Sequence, residues 1–277
     1  MTVTSLPTGS WAPSRERVVT VETEAFDLVD VRVSERGRGP AVLLLHGGDG
    51  PASMDAYAGR LSASRGVRAF VPTHPGFAGT PRAPQVATVA GVAEVYAALL
   101  DELGLEHVTV VGSGLGGWVA AELGLLGSPR VGRLVLVDAV GIEAPGHRVA
   151  DVFSLTFEEI AELSYHDPDG RAVDPAALTP AGRLALAGDR AALALYAGQP
   201  AMTDPGLLRR LVGIPHPTRV VWGADDGIAD PGYGRVLAAA VPGATFELLP
   251  ATGHLPHIES PHLLDAVIAP AVADLVA

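Results

Sequence analysis

The sequence predicts an α/β protein built on a doubly wound, mostly parallel sheet. Two observations predict it: short runs of continuous apolar residues recur along the chain, and segments with helical spacing of apolar residues separate them. Continuous apolar runs are typical of strands that are covered on both faces. Strands that alternate with helices favour a parallel sheet with crossover connections. A chain of 277 residues is long enough for one such domain, with or without an insertion.

The first predicted elements are two runs of alternating apolar and polar residues, 18–23 and 26–33, which we expect to pair as antiparallel strands. Six further strands are predicted from apolar runs over 41–46, 67–72, 107–112, 133–140, 218–223 and 245–250. Helical spacing predicts core helices over 86–103, 115–126, near 233–240 and from about residue 261.

The stretch between the fourth and fifth of these six apolar runs, residues 141–217, differs from the rest of the chain. It carries no strand-like run but several helix-like segments, over 156–164, 179–186 and 189–196. We therefore predict a core formed by residues 1–140 and 218–277, with residues 141–217 inserted as a helical lid.

The composition excludes several classes of function. The chain has no cysteine, which removes disulfides, thiolate zinc sites and a cysteine nucleophile. All 19 basic residues are arginine, so Schiff-base chemistry and the P-loop lysine are excluded as well. With 31 acidic residues the net charge is −12, and no basic run exceeds Arg209-Arg210. A nucleic-acid partner is therefore not expected.

The expected location and partners follow from the apolar content. Residues 1–17 lack the apolar core of a signal peptide, and no window reaches the roughly 18 apolar residues of a membrane span. We therefore expect a cytoplasmic protein without a membrane partner. A small-molecule substrate is the expected partner, a homodimer is left open, and neither a cofactor nor a metal is expected.

Candidate functional residues are those that follow the apolar runs, because ligands of open α/β sheets bind at the carboxyl ends of the strands. The first such loop, residues 46–50, reads HGGDG. Its consecutive glycines allow backbone amides to turn toward one point, which suits an anion or a developing oxyanion. Taken alone, this loop favours an ordinary glycine turn over an anion site.

The second loop, residues 112–117, reads GSGLGG and lies between a predicted strand and a predicted helix. It resembles the nucleophile elbow of the α/β-hydrolase family, G-x-S-x-G, in which small residues two before and two after the nucleophile allow a sharp turn. Gly112 and Gly116 match the outer glycines, and Gly117 matches the small residue that follows. The nucleophile position therefore falls on Gly114, so the serine is missing.

Two alternatives exist for this loop. Ser113 could be the nucleophile, but its flanking positions would then be Val111 and Leu115, whose branched side chains would crowd the turn; we expect its hydroxyl to cap the following helix instead. A dinucleotide-binding loop is the other alternative, since Asp138 follows at about the distance of a ribose ligand. The late position of the strand in the chain disfavours this alternative without excluding it.

Two later loops favour the hydrolase resemblance. They read WGADD over 222–226 and GHLPHIE over 253–259, and the family places its acid and then its histidine on such loops, after the nucleophile. The resemblance assigns the acid to Asp226, with Asp225 in reserve, and the base to His254. It also implies an oxyanion hole made by the backbone amides of Gly48 and Leu115. Residues 74–80 resemble the family's PG-x-G-[ST] loop, with one extra residue, and are expected to be structural.

The resemblance covers about residues 18–277 and implies the α/β-hydrolase fold, with an esterase-like enzyme acting on a small apolar ester-like or carbonyl substrate. The glycine at position 114 leaves two interpretations open: a serine hydrolase whose serine has been exchanged by engineering, or a natural enzyme without a covalent nucleophile. The second would use His254 and Asp226 for lyase, isomerase, cyclase or cofactor-free oxygenase chemistry. A non-catalytic ligand-binding module is a third alternative, and a nucleotide-binding dehydrogenase is a distant fourth.

Overall fold

The structure is a computed structural model that describes residues 13–197 and 202–273. The expectation that no signal peptide is present falls largely on residues outside this range. Eight strands form the main sheet: β1 (Arg15–Thr23), β2 (Asp27–Gly37), β3 (Ala41–Leu45), β4 (Arg68–Pro72), β5 (Val108–Ser113), β6 (Val131–Val137), β9 (Thr218–Gly223) and β10 (Thr245–Leu249). A separate pair is formed by β7 (Gly141–Ile142) and β8 (Thr203–Asp204).

Nine α-helices accompany these strands in the described part of the chain. They are α1 (Pro51–Arg65), α2 (Val89–Glu102), α3 (Leu115–Leu125), α4 (Phe157–Ser164), α5 (Pro180–Ala197), α6 (Leu207–Arg210), α7 (Pro231–Ala240), α8 (Pro256–Glu259) and α9 (Pro261–Ala273). Helix α2 begins three residues later than predicted, because the Thr88 side chain accepts a hydrogen bond from the amide of Gly91 and caps the helix there. Among the described residues, no helix combines the length and the apolar character needed to cross a bilayer.

The main sheet has the strand order β1-β2-β4-β3-β5-β6-β9-β10. The first two strands pair antiparallel, as the alternating runs predicted, and β2 is also antiparallel to β4. All other neighbours in the sheet are parallel. The predicted α/β class with a mostly parallel sheet is therefore confirmed.

Both faces of the sheet are covered, which explains the continuous apolar runs. In β3, Leu43 and Leu45 belong to one buried cluster, while Val42 and Leu44 point the other way into a second. Because side chains alternate along a strand, each run must be apolar at every position to fill both clusters. The carboxyl ends of the parallel strands consequently meet at one edge, between two layers of helices.

The segment inserted between β6 and β9 carries the helices α4, α5 and α6, and the structure corrects the sequence prediction for it in two places. The separate helical stretches 179–186 and 189–196 form the single helix α5, because Gly188 between them lies in ordinary helical backbone. The expectation of no strand in this segment is wrong for its first residues, since Gly141 and Ile142 pair with Thr203 and Asp204. These strands are two residues long, which is too short for a periodic signal.

Candidate functional site

The turn between β5 and α3 has the geometry of a tight strand-to-helix elbow. Strand β5 ends at Ser113, helix α3 begins at Leu115, and Gly114 between them has φ 54° and ψ −115°. This left-handed conformation costs a non-glycine residue about 1–3 kcal/mol. Glycine adopts it without that strain.

The neighbouring glycines are required by close backbone approach. A Cβ on Gly112 would lie 2.1 Å from the carbonyl oxygen of Gly116, and a Cβ on Gly116 would lie 2.2 Å from that of Leu45. A Cβ on Gly117 would lie 2.5 Å from the Cβ of Ala139. The three small residues therefore let α3 start directly against β3 and β6.

His254 and Asp226 meet at this elbow. The Nδ1 atom of His254 donates to Oδ2 of Asp226 at 2.8 Å, and both side chains are buried. The Nε2 atom of His254 lies 3.2 Å from the position that a Cβ on Gly114 would occupy. The three residues singled out by the sequence, which come from the loops after β5, β9 and β10, thus lie together at one edge of the sheet.

The Asp226 carboxylate is held from two further sides. Its Oδ1 atom accepts hydrogen bonds from the amides of Ile228 at 2.8 Å and Ala229 at 3.1 Å. Burial lowers the pKa of His254, but the charge and hydrogen bond of Asp226, assisted by the charge of Asp49, outweigh burial and raise that pKa above its usual value. The imidazole is therefore a stronger base than a free histidine.

Asp225, the reserve candidate for the acid, points elsewhere. Its Oδ2 atom lies 2.9 Å from Nδ1 of His166, and both side chains are about half exposed. The resemblance assigned the acid to Asp226 and kept Asp225 in reserve, and the structure places Asp226, not Asp225, against His254.

The loop of residues 46–50 lies against the elbow. The Cα atom of Gly47 is 3.9 Å from the Cβ position of Gly114, and a Cβ on Gly47 would lie 3.2 Å from the carbonyl oxygen of Ser113. Within the described residues, the amides of Gly48 and Leu115 donate to no other group. For Leu115 this follows from its place at the start of α3, where the first amides have no intrahelical acceptor. Both amides are thus free to donate to a ligand.

Asp49 adds a fixed negative charge within this loop, a feature that the sequence did not predict. Its Oδ2 atom lies 3.1 Å from Nε2 of His257 and accepts a hydrogen bond from Ser53. Burial would raise the pKa of Asp49, but His257 and Ser53, together with the charge of His46, lower it to about 2. This carboxylate is therefore ionised near neutral pH.

Asp138 lies behind the His254 and Asp226 pair. It is fully buried, and its Oδ1 atom accepts a hydrogen bond from the amide of Gly223 at 2.8 Å. An oxygen of Asp138, an oxygen of Asp226 and a ring nitrogen of His254 lie within 4.8 Å of one another. The ring nitrogen of His254 already donates a hydrogen bond to the carboxylate of Asp226. This arrangement fits a hydrogen-bonded pair better than a metal site. A fully buried Asp138 cannot bind a ribose, so the dinucleotide alternative fails.

The predicted capping role of Ser113 is wrong. Gly114 is the residue before α3, no side chain caps this helix, and the buried Ser113 hydroxyl has no hydrogen-bond partner among the described residues. As the last residue of β5, Ser113 lies too early to reach the helix amides.

Residues 74–80 are structural, as expected. His74 is buried between the backbone oxygen of His46 at 2.8 Å and the hydroxyl of Tyr96 at 2.6 Å. The Thr80 hydroxyl donates to the carbonyl of Phe77 at 2.7 Å and closes the turn. These bonds hold the loop beside residues 46–50.

Helix α5 covers this edge of the sheet. Leu193 packs on Gly48, with Cδ2 2.9 Å from the position of a Cβ there. The Tyr196 hydroxyl donates to the carbonyl of Pro75 at 2.8 Å, and Asp189 accepts from the amide of Ala78 at 2.6 Å.

The end of α4 contacts the two later loops, because the carbonyls of residues 163 and 164 accept from the amides of residues 227 and 254 at 2.8 and 2.7 Å.

Comparison with known proteins agrees with this architecture. The chain is 29% identical over 251 residues to 2-hydroxymuconate semialdehyde hydrolase of Pseudomonas putida, covering 81% of this chain and 84% of that one. It is 24% identical over 265 residues to 2-hydroxy-6-oxo-6-phenylhexa-2,4-dienoate hydrolase of Burkholderia cepacia, covering 86% and 89%. The solved esterase of Thermogutta terrifontis superposes with a TM-score of 0.73 at 24% identity, covering 93% and 98%.

A family model matches most of the chain. The model of the alpha/beta hydrolase family aligns with residues 42–267, which include the main sheet from the second residue of β3 onward and all of the loops described above. The chain therefore belongs to the alpha/beta hydrolase family.

Proposed function

We propose that this protein is an enzyme in which His254, paired with Asp226, acts as a general base beside Gly114 on a small apolar ester-like or carbonyl substrate. One observation carries the proposal: the Nε2 atom of His254, with its raised pKa, lies 3.2 Å from the Cβ position of Gly114. An oriented base that faces an open position at the elbow is useful for proton transfer, and a passive binding module has no need of it.

The chain has no hydroxyl at position 114, so the attacking group is a water molecule. His254 takes a proton from this water as the water oxygen attacks the carbonyl carbon of the substrate. The amides of Gly48 and Leu115 donate to the oxygen that becomes negative, which stabilises the tetrahedral intermediate. His254 then returns the proton to the leaving alcohol. The adjacent Leu193 favours an apolar group next to the reacting carbonyl.

The distance at the elbow supports a natural enzyme that uses His254 directly as the base. It disfavours a serine hydrolase whose serine at position 114 has been exchanged by engineering. A Cβ at position 114 would lie 3.2 Å from Nε2, which is tighter than nine in ten real Cβ contacts, so His254 would have to move by a few tenths of an ångström. The same spacing favours a second candidate function, removal of an acidic proton next to a carbonyl, as in a lyase or an isomerase.

Short p-nitrophenyl esters test the proposal. We expect slow turnover without a burst by the chain as it stands, and loss of that turnover in His254→Ala. The control is His166→Ala, which removes a half-exposed histidine that contacts Asp225 and should leave turnover unchanged. An unaltered ester after long incubation would contradict esterase action, and turnover that survives His254→Ala would contradict the role of the base.

Gly114→Ser tests the exchanged-serine interpretation. If that interpretation is correct, a burst of acylation follows the restored hydroxyl, whereas Gly114→Ala, which adds the Cβ alone, gives none. Both variants should melt at an equal or lower temperature than the chain itself, because a side chain at φ 54° costs about 1–3 kcal/mol. A folded serine variant without a burst would reject the interpretation.

The pH dependence of turnover follows from His254. Because its pKa is raised, the neutral form that accepts a proton becomes populated only above the usual histidine pKa of about 6.5. We expect kcat/KM to rise with pH and to reach a plateau on the alkaline side of that value. The same raised pKa makes the protonated pair contribute stability at low pH, and this contribution is lost as the pH rises through the pKa of the folded state. A kcat/KM that falls as the pH rises through the pKa of His254 would contradict the role of His254 as the base.

A further inference from the structure

Two buried carboxyl groups share the space behind the imidazole, and only one of them is well supplied with hydrogen-bond donors. Asp226 accepts from the amides of Ile228 and Ala229 and from Nδ1 of His254. Asp138 accepts from the amide of Gly223 alone, and its second oxygen has no donor among the described residues. The negative charge is therefore stabilised far better on Asp226.

The distance between the two groups makes double ionisation unfavourable. An oxygen of each carboxyl lies within 4.8 Å of the other, Asp138 is fully buried, and Asp226 is nearly so. Like charges this close in a buried site repel strongly, so one group holds a proton. Burial first, and then the charge of Asp226, raises the pKa of Asp138 well above its ordinary range.

We propose that Asp138 stays protonated at neutral pH and donates a hydrogen bond to Asp226, which positions that carboxylate behind His254. The proton satisfies the oxygen of Asp138 that otherwise lacks a partner, and it leaves one negative charge behind the imidazole instead of two. Asp138 acts through Asp226 and is a positioning residue. The inference deepens the proposed function and rests on it for the role of His254, but its test needs no turnover.

The test is the titration of the His254 imidazole by NMR, with its signal assigned by its loss in His254→Gln. In Asp138→Asn the amide nitrogen can donate to Asp226 while the amide oxygen still accepts from Gly223. This variant copies a protonated acid, so we expect the pKa of His254 to stay within about 0.3 units of that in the unaltered protein. If Asp138 were ionised, removal of its charge would lower that pKa by about one unit or more and overturn the proposal.

Two further measurements separate positioning from mere packing. In Asp138→Ala the donor is lost, and we expect the low-field proton signal of the His254 Nδ1–H to shift or broaden, with recovery in Asp138→Asn. An unchanged signal in the alanine variant would overturn the positioning role. If that variant does not fold, infrared difference spectra at neutral pH decide: a protonated carboxylic acid band should be present in the protein and absent from Asp138→Asn.

A matched control is available in Asp265, another buried aspartate, which lies on helix α9 and is paired at 3.1 Å with Arg60 of helix α1. Asp265→Asn should leave both the infrared band and the His254 titration unchanged. Absence of the band from the unaltered protein would overturn the proposal. An inert protein that gives the expected spectra would refute the proposed activity and leave this inference standing.

Discussion

Asp226→Asn is expected to lower ester turnover by about 10²–10⁴-fold. The amide keeps the size of the side chain but removes the negative charge that raises the pKa of His254 and fixes its tautomer. The loss should appear in kcat more than in KM, because Asp226 lies behind the imidazole and does not face the substrate. Steady-state kinetics over a range of pH would measure both effects, and the inflection of kcat/KM should move to lower pH.

The neighbouring aspartate supplies the control for this variant. Asp225→Asn removes a half-exposed carboxylate whose partner is His166, so turnover should stay within about twofold of the unaltered chain. Equal losses in both variants would contradict the assignment of the acid to Asp226. A loss confined to Asp225→Asn would make Asp225 the acid and require a different arrangement of the loop after β9.

Gly116→Ala is expected to destabilise the fold by about 3 kcal/mol or more. The added Cβ would lie 2.2 Å from the carbonyl oxygen of Leu45 and 2.6 Å from that of His46. Both are backbone atoms at the carboxyl end of strand β3. Helix α3 would have to move away from β3, which would also disturb residues 46–50. Denaturant unfolding measures this loss.

Gly188→Ala is the matched control for that substitution. Gly188 lies within helix α5, and apart from its chain neighbours and the backbone of its own helix no heavy atom of the described residues lies within 4 Å of a Cβ placed there. Alanine at this position should stabilise the protein by about 0.5–1 kcal/mol, since glycine is a poor helix former. A Gly116→Ala protein as stable as the unaltered chain would contradict the close packing at the elbow.

The sequence predicted the sheet well because both of its faces are buried. Successive side chains of β3 point into two different buried clusters, so every position of the strand is apolar. Such continuous apolar runs can be recognised in the sequence alone. The elbow was equally visible, because backbone contacts near 2 Å admit only glycine at positions 112 and 116. Strong local constraints leave strong local signals.

The role that we propose for Asp138 has no clear signal in the sequence, because it depends on contacts between distant segments. Its only local signal is an acid at the end of an apolar run, and this signal fits only the disfavoured alternative of a ribose ligand. The groups that contact it, the amide of Gly223 and the carboxyl of Asp226, come more than 80 residues later in the chain. The ranking of Asp226 above Asp225 likewise came from the family resemblance, since only the turn after β9 determines which side chain faces inward.

The contacts of helix α4 bear on whether residues 141–217 can be exchanged as a module. Two consecutive carbonyls at its carboxyl end, those of Leu163 and Ser164, accept hydrogen bonds from the loops that carry Asp226 and His254. A chimaera that received this segment from another hydrolase would need acceptors in the same two places. Without them, the loops of both residues would lose a backbone anchor, so the grafted segment would alter the base itself as well as the choice of substrate.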